Sequence, residues 1–115
     1  MSHPTQQQAA PAQRRELDDL IRQALAARHP LATIETCQSL EIRLRAWIRR
    51  LADDARRHQD RLPRGEAAWE ACEAAILGAQ AALLGDAGRG LKSAALHVAT
   101  LGEAVRELAG CIRQH

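Results

Sequence analysis

The chain has 115 residues and a formal net charge of +2, enough for one hydrophobic core but not for two domains, and too nearly neutral to mark a nucleic-acid protein by charge alone. It contains no Phe or Tyr and only two Trp, Trp47 and Trp69, so its interior must be built from Leu, Ile, Val and Ala. Three cysteines without a Cys-x-x-Cys pair exclude a disulfide framework as the first expectation and fit packed thiols in a reduced compartment.

Residues 1–13, MSHPTQQQAAPAQ, carry no apolar period and read as a disordered lead-in ahead of a single domain over 14–115. A first helix is predicted over about 14–28, with Leu17, Leu20, Ile21, Ala24 and Leu25 on one stripe and Pro30 beyond its end. The second is predicted over about 33–62, capped by Thr33, with Cys37, Leu40, Leu44, Trp47, Ile48, Leu51, Ala55, His58 and Leu62 on its buried stripe. Pro63-Arg64-Gly65 then reverses the chain.

The third helix, about 66–84, presents Trp69, Cys72, Ile76, Ala79 and Leu83 and runs into the glycine-rich segment Gly85 to Gly90. The fourth, about 91–113, keeps an unbroken alternation of three- and four-residue steps through Leu91, Ala94, Val98, Leu101, Val105, Leu108 and Ile112. Short connections between long helices force antiparallel neighbours, so the expected fold is all-α, an antiparallel up-and-down four-helix bundle. Beside the last seam, Ala95, Gly102 and Ala109 form a strip of small residues. A glycine inside a helix costs about 1 kcal/mol against alanine, and close approach of another helix is the expected compensation.

Several constellations suggest chemistry. Gly85-x-x-x-x-Gly90 followed by Leu91-Lys92-Ser93 nearly spells a phosphate-binding loop, but Leu91 intrudes and a helix, not a strand, precedes it. Antiparallel connectivity places Cys72 and Cys111 at one end with His58 and Trp69, and Cys37 at the other. His58, Trp69, Cys72 and Cys111 could therefore line a small-molecule pocket. A zinc site of His58, Cys72 and Cys111 is conceivable. Isolated cysteines on seam positions are usually small buried hydrophobes, however, so no metal or cofactor is expected.

Arg43, Arg50 and Arg57 repeat every seven residues along one face of the second helix, with Arg45, Arg49 and Arg56 on an adjoining one. Asp53, Asp54 and Asp60 interrupt this basic face, which argues for a solvated surface over a nucleic-acid interface. Ile42, Leu77, Leu84 and Leu96 fall outside the seams and could form an apolar patch for a partner protein or a second copy, making a homodimer. His97 also lies off the last seam and is expected to be exposed. No catalytic residues are proposed: Glu41 and Glu73 flank the seams at opposite ends, which argues against a carboxylate pair.

The run Leu44-Arg45-Ala46-Trp47-Ile48, the Leu62-Pro63 break, the Ala- and Glu-rich third helix and the pattern Gly88-Arg89-Gly90-Leu91-x-x-Ala94-Ala95-x-His97-x-x-x-Leu101-x-x-x-Val105-x-x-Leu108-x-x-Cys111 carry a resemblance. Together they resemble a family of small all-helical actinomycete proteins, assigned to natural-product biosynthesis without a known function. The similarity spans about residues 15 to 113. It implies an accessory role in secondary metabolism and carries over no catalytic residue.

The sequence thus points first to a non-enzymatic helical interaction module, a homodimer or the helper of a larger enzyme. A small-molecule-binding protein or small enzyme using the His58 end is the alternative, and a nucleic-acid regulator using the Arg face the third. Nowhere do about 18 apolar residues run together, and Arg14-Arg15 leads into Glu16 and Asp18 instead of a hydrophobic stretch. Neither a membrane span nor an export signal is expected, and the expected location is the cytoplasm.

Overall fold

The structure, a computed structural model, describes residues 4–26, 33–88 and 90–113. Among these the secondary structure is four helices: α1 (Pro4–Ala26), α2 (Ile34–Gln59), α3 (Ala67–Leu84) and α4 (Leu91–Arg113). The all-α bundle read from periodicity is the observed fold. Over the described residues, no helix is long and apolar enough to cross a membrane.

The boundaries of α3 and α4 fall within a residue of expectation, whereas α1 and α2 differ. α1 is helical from Pro4, well before its apolar stripe begins, so residues 4–13 of the expected lead-in are helical and residues 1–3 lie outside the described residues. Apolar period marks where a helix is buried, not where it starts. Gln and Ala favour helix, and Pro is tolerated at a first helical position because its missing N–H has no partner there. α2 starts as expected, with the Thr33 hydroxyl accepting the Thr36 amide at 3.0 Å. It ends at Gln59, before the expected 62, because the chain tightens: the Arg61 amide donates to His58 O at 3.1 Å and Leu62 to Gln59 O at 2.9 Å. Pro63 cannot continue the ladder.

The packing is unequal. α4 meets all three other helices and shares its broadest contact with α2, while α1 lies mainly on α4, touches α2 little, and does not meet α3 among the described residues. The molecule is a slab, 46 × 37 × 17 Å, and 17 Å is the depth of two helix layers. The core is aliphatic: Leu20, Leu44, Ile48, Ile76, Leu101 and Leu108 are its largest fully buried side chains.

Gly102 explains how α1 attaches. A Cβ built there would stand 2.7 Å from the Ala24 Cβ, closer than real carbon atoms come, so the two backbones approach because neither position carries bulk. Gly102 belongs to the small-residue strip beside the seam, whose members Ala95, Gly102 and Ala109 are all buried. Gly102→Ala is therefore expected to destabilise the fold by about 1–2 kcal/mol, overpacking exceeding the gain in helix propensity. In an Ala24→Gly background the same change should be neutral or stabilising, which a double-mutant cycle by urea unfolding measures; equal costs in both backgrounds would deny the contact.

Candidate functional site

One side chain joins three helices. Glu41 and Arg45 stand four residues apart on α2, a spacing that stacks them on one face, and Arg45 Nε donates to Glu41 Oε2 at 3.0 Å. The same guanidinium reaches across to the end of α3, where Nη1 donates to Leu83 O and Nη2 to Gly85 O, each at 2.8 Å. These carbonyls belong to the helix end whose orphan acceptors and dipole favour a cation. Nη2 also approaches Nε2 of His97 on α4 at 3.2 Å. A guanidinium only donates, so a bond here requires His97 Nε2 as acceptor and the tautomer with its proton on Nδ1; the same Nε2 stands 3.7 Å from Glu41 Oε2. The Arg45 and Glu41 side chains are only 20% and 23% exposed, which sets this pair apart from the surface pairs Arg22–Asp19 and Arg106–Glu103.

His97 is thus a correction. It was expected to be exposed and is buried at 7%, because α4 faces three helices and its buried arc is wider than a heptad seam. Arg45 likewise belongs to this lock and not to an outer basic face.

A groove of about 230 Å³ opens between α1, α2 and the last turns of α4. Its apolar lining includes Leu17 of α1, Trp47 and Leu51 of α2, and Ile112 of α4. Trp47 was assigned to the buried stripe and is instead half-buried, with the Arg50 guanidinium over its ring at 5.2 Å. Arg14, Arg50 and Arg113 line the groove with Asp18 and Asp54. Asp54 is paired with Arg57, and Arg113 Nε leans toward Ala109 O at 3.4 Å, near the end of α4.

Comparison with known proteins decides the family. A profile described as a family of unknown function, DUF6415, matches residues 15–115. The chain belongs to DUF6415. No curated protein and no solved structure matches it.

In this DUF6415 chain the sequence-derived site residues fare differently. Cys72 and Cys111 are buried free thiols and are neighbours, as the connectivity required. Burial, then the hydrogen bond and charge interaction with Cys72, push the Cys111 thiol up to about 12, and Cys111 Sγ donates to Leu108 O at 3.2 Å. Burial also raises the Cys37 thiol. Such thiols remain protonated and act as packing groups. His58 and Trp69 are half-buried. At their end Gln59 ties α2 to α3, donating to Trp69 O at 3.3 Å and to Glu73 Oε1 at 3.2 Å, and Arg64 covers the Trp69 ring at 5.5 Å. The described residues bring together no group of three His, Cys, Asp or Glu able to hold a metal.

Arg43, Arg50 and Arg57 are exposed, but Arg50 stacks on Trp47 and Arg57 holds Asp54. Ile42, Leu77, Leu84 and Leu96 are exposed at 72%, 55%, 89% and 58%. Ile42 lies on the side of α2 opposite its buried stripe, and Leu96 on the side of α4 opposite its own. The glycine-rich segment is an αα connection, with the Gly88 amide turned back onto Asp86 Oδ1 at 2.9 Å and Gly88 at φ +63°. Arg89 lies outside the described residues.

Sequence reasoning missed both the lock and the groove. The Glu41-to-Arg45 step was a visible signal for the first. Nothing in one chain's pattern reports the gap between α1 and α2 that makes the second.

Replacing Arg45 by Met should cost about 2–3 kcal/mol in urea unfolding, because the Leu83 and Gly85 carbonyls, Glu41 and His97 lose a shared donor. Arg45→Lys should recover less than half, since an ammonium cannot span both carbonyls and Glu41. A loss of about 0.5 kcal/mol or less for Arg45→Met would reduce the lock to an ordinary surface pair.

Proposed function

We propose that this protein is a non-enzymatic accessory module that works by holding another molecule in the groove around Trp47. The observation that carries this reading is an aromatic ring left half-exposed in an apolar trough, with arginines at its margin, in a chain that has only two Trp. Aromatic and Arg side chains of this kind dominate recognition surfaces. The buried and half-buried polar groups elsewhere support a structural role for the rest of the chain: Arg45, Glu41, His97, Gln59 and Glu73 bond to backbone and to one another, tying helices together.

The resemblance to actinomycete proteins assigned to natural-product biosynthesis supports placing the module in secondary metabolism, in the cytoplasm, beside larger enzymes. The partner-facing surface in this reading is the groove and not the Ile42, Leu77, Leu84 and Leu96 set, whose members are spread over three helices and exposed as apolar residues often are. A homodimer remains compatible with the groove if a second copy fills it.

Site-specific photocrosslinking in the natural host tests this. With p-benzoylphenylalanine in place of Gln13 or Asp54 at the groove, or of Leu77 or Leu96 on the outer faces, intact-mass analysis should give adducts of defined mass at Gln13 and Asp54 only. Adducts confined to Leu77 or Leu96, or absent from all four, would refute the groove as the working surface.

A further inference from the structure

We infer that the natural occupant of the groove is a small amphipathic acid, a single apolar body ending in a carboxylate. This rests on the groove being the working surface.

The size of the space comes first. At about 230 Å³ it lies below the 300–1,000 Å³ of pockets that enclose drug-sized ligands, which suits one short aliphatic chain or one ring. Trp47, Leu51, Leu17 and Ile112 supply apolar surface for such a body. The ends of the groove are set by α2: Trp47 and Asp54, both in the lining, are seven residues apart, about 10 Å along the helix.

Charge decides the polar end. Arg14, Arg50 and Arg113 come from α1, α2 and α4 respectively and line one space, so its positive charge is contributed by three helices instead of being strung along one. That pattern fits a point anion better than the distributed acidic side chains of a docked helix. The opposing carboxylates are Asp18 and Asp54, and Asp54 is already matched by Arg57. The lining therefore favours an anion over a cation of the same shape. The Arg50 guanidinium stands over the Trp47 ring at 5.2 Å, and a planar guanidinium can offer a carboxylate two parallel N–H donors.

The test uses sodium decanoate as the probe and the Trp69→Phe variant, in which Trp47 is the sole tryptophan reporter. Decanoate should produce a saturable change in Trp47 emission with Kd below about 1 mM. Decyltrimethylammonium, of the same chain length and opposite charge, should bind at least tenfold more weakly. Arg50→Gln with Arg113→Gln should weaken decanoate at least tenfold while leaving the thermal unfolding midpoint of the variant within a few degrees of its parent. Calorimetric titration of the wild-type chain provides the same comparison without the Trp69 substitution, should that variant fail to fold.

Equal binding of the two decyl probes would overturn the acid assignment and leave an unselective apolar trough. Silence toward decanoate to about 10 mM, or unchanged affinity in the double Arg variant, would overturn it too. Saturable binding of an acidic Glu/Leu amphipathic helical peptide with no response to decanoate would assign the groove to a helical partner instead. None of these results touches the crosslinking outcome, so the fate of the groove and the fate of the acid are separable.

Discussion

The Arg45 guanidinium is the constraint on which the rest of this bundle depends. From one position on α2 it satisfies two carbonyls at the end of α3, a carboxylate on its own helix and a ring nitrogen on α4. A core of Ala, Leu, Ile and Val offers few large interlocking shapes, so its helices could slide along one another at modest cost. Directional bonds from a half-buried cation remove that freedom. They also close the end of α3 at the point where a glycine-rich connection begins, where backbone acceptors would otherwise face only water.

The lock makes α2, α3 and α4 one unit and leaves α1 as a rod attached differently. α1 is held by shape, through the contact of Ala24 with Gly102 and the burial of Leu17, Leu20 and Ile21. Because it lies against α4 and only lightly against α2, the wedge between α1 and α2 is not filled by aliphatic side chains. Trp47, too large to leave the wedge empty and too wide to close it, stands there with Arg50 across its face. The groove is therefore a consequence of where the small residues of α4 allow α1 to sit.

Much of this architecture was legible in the sequence. The seam of α4, the cap at Thr33 and the breaks at Pro63 and Gly85 gave four rods and their directions. From directions alone followed the meeting of Cys72 with Cys111, and from the cost of a glycine inside a helix the close approach at Gly102. What was not legible has a common cause. A heptad seam describes a helix with partners on one side, whereas α4 has partners on three, and its buried arc takes in His97, Ala95 and Ala99 as well. His97 was accordingly misplaced outside, and Arg45, its donor, was counted with the solvated arginines. The α1 start was missed because residues 4–13 are helical without carrying an apolar stripe. Trp47 was placed in the core because its period is right; whether the neighbouring rod covers it depends on interhelical distance, which periodicity does not encode.

The most direct measurement of the central claim is the protonation pattern of the His97 ring, read from long-range proton–nitrogen NMR spectra of the labelled protein. If Arg45 donates to His97 and so joins α2, α3 and α4, Nε2 is bare and the proton resides on Nδ1. A proton found on Nε2 would contradict the lock, since Arg45 could not then bond to that atom.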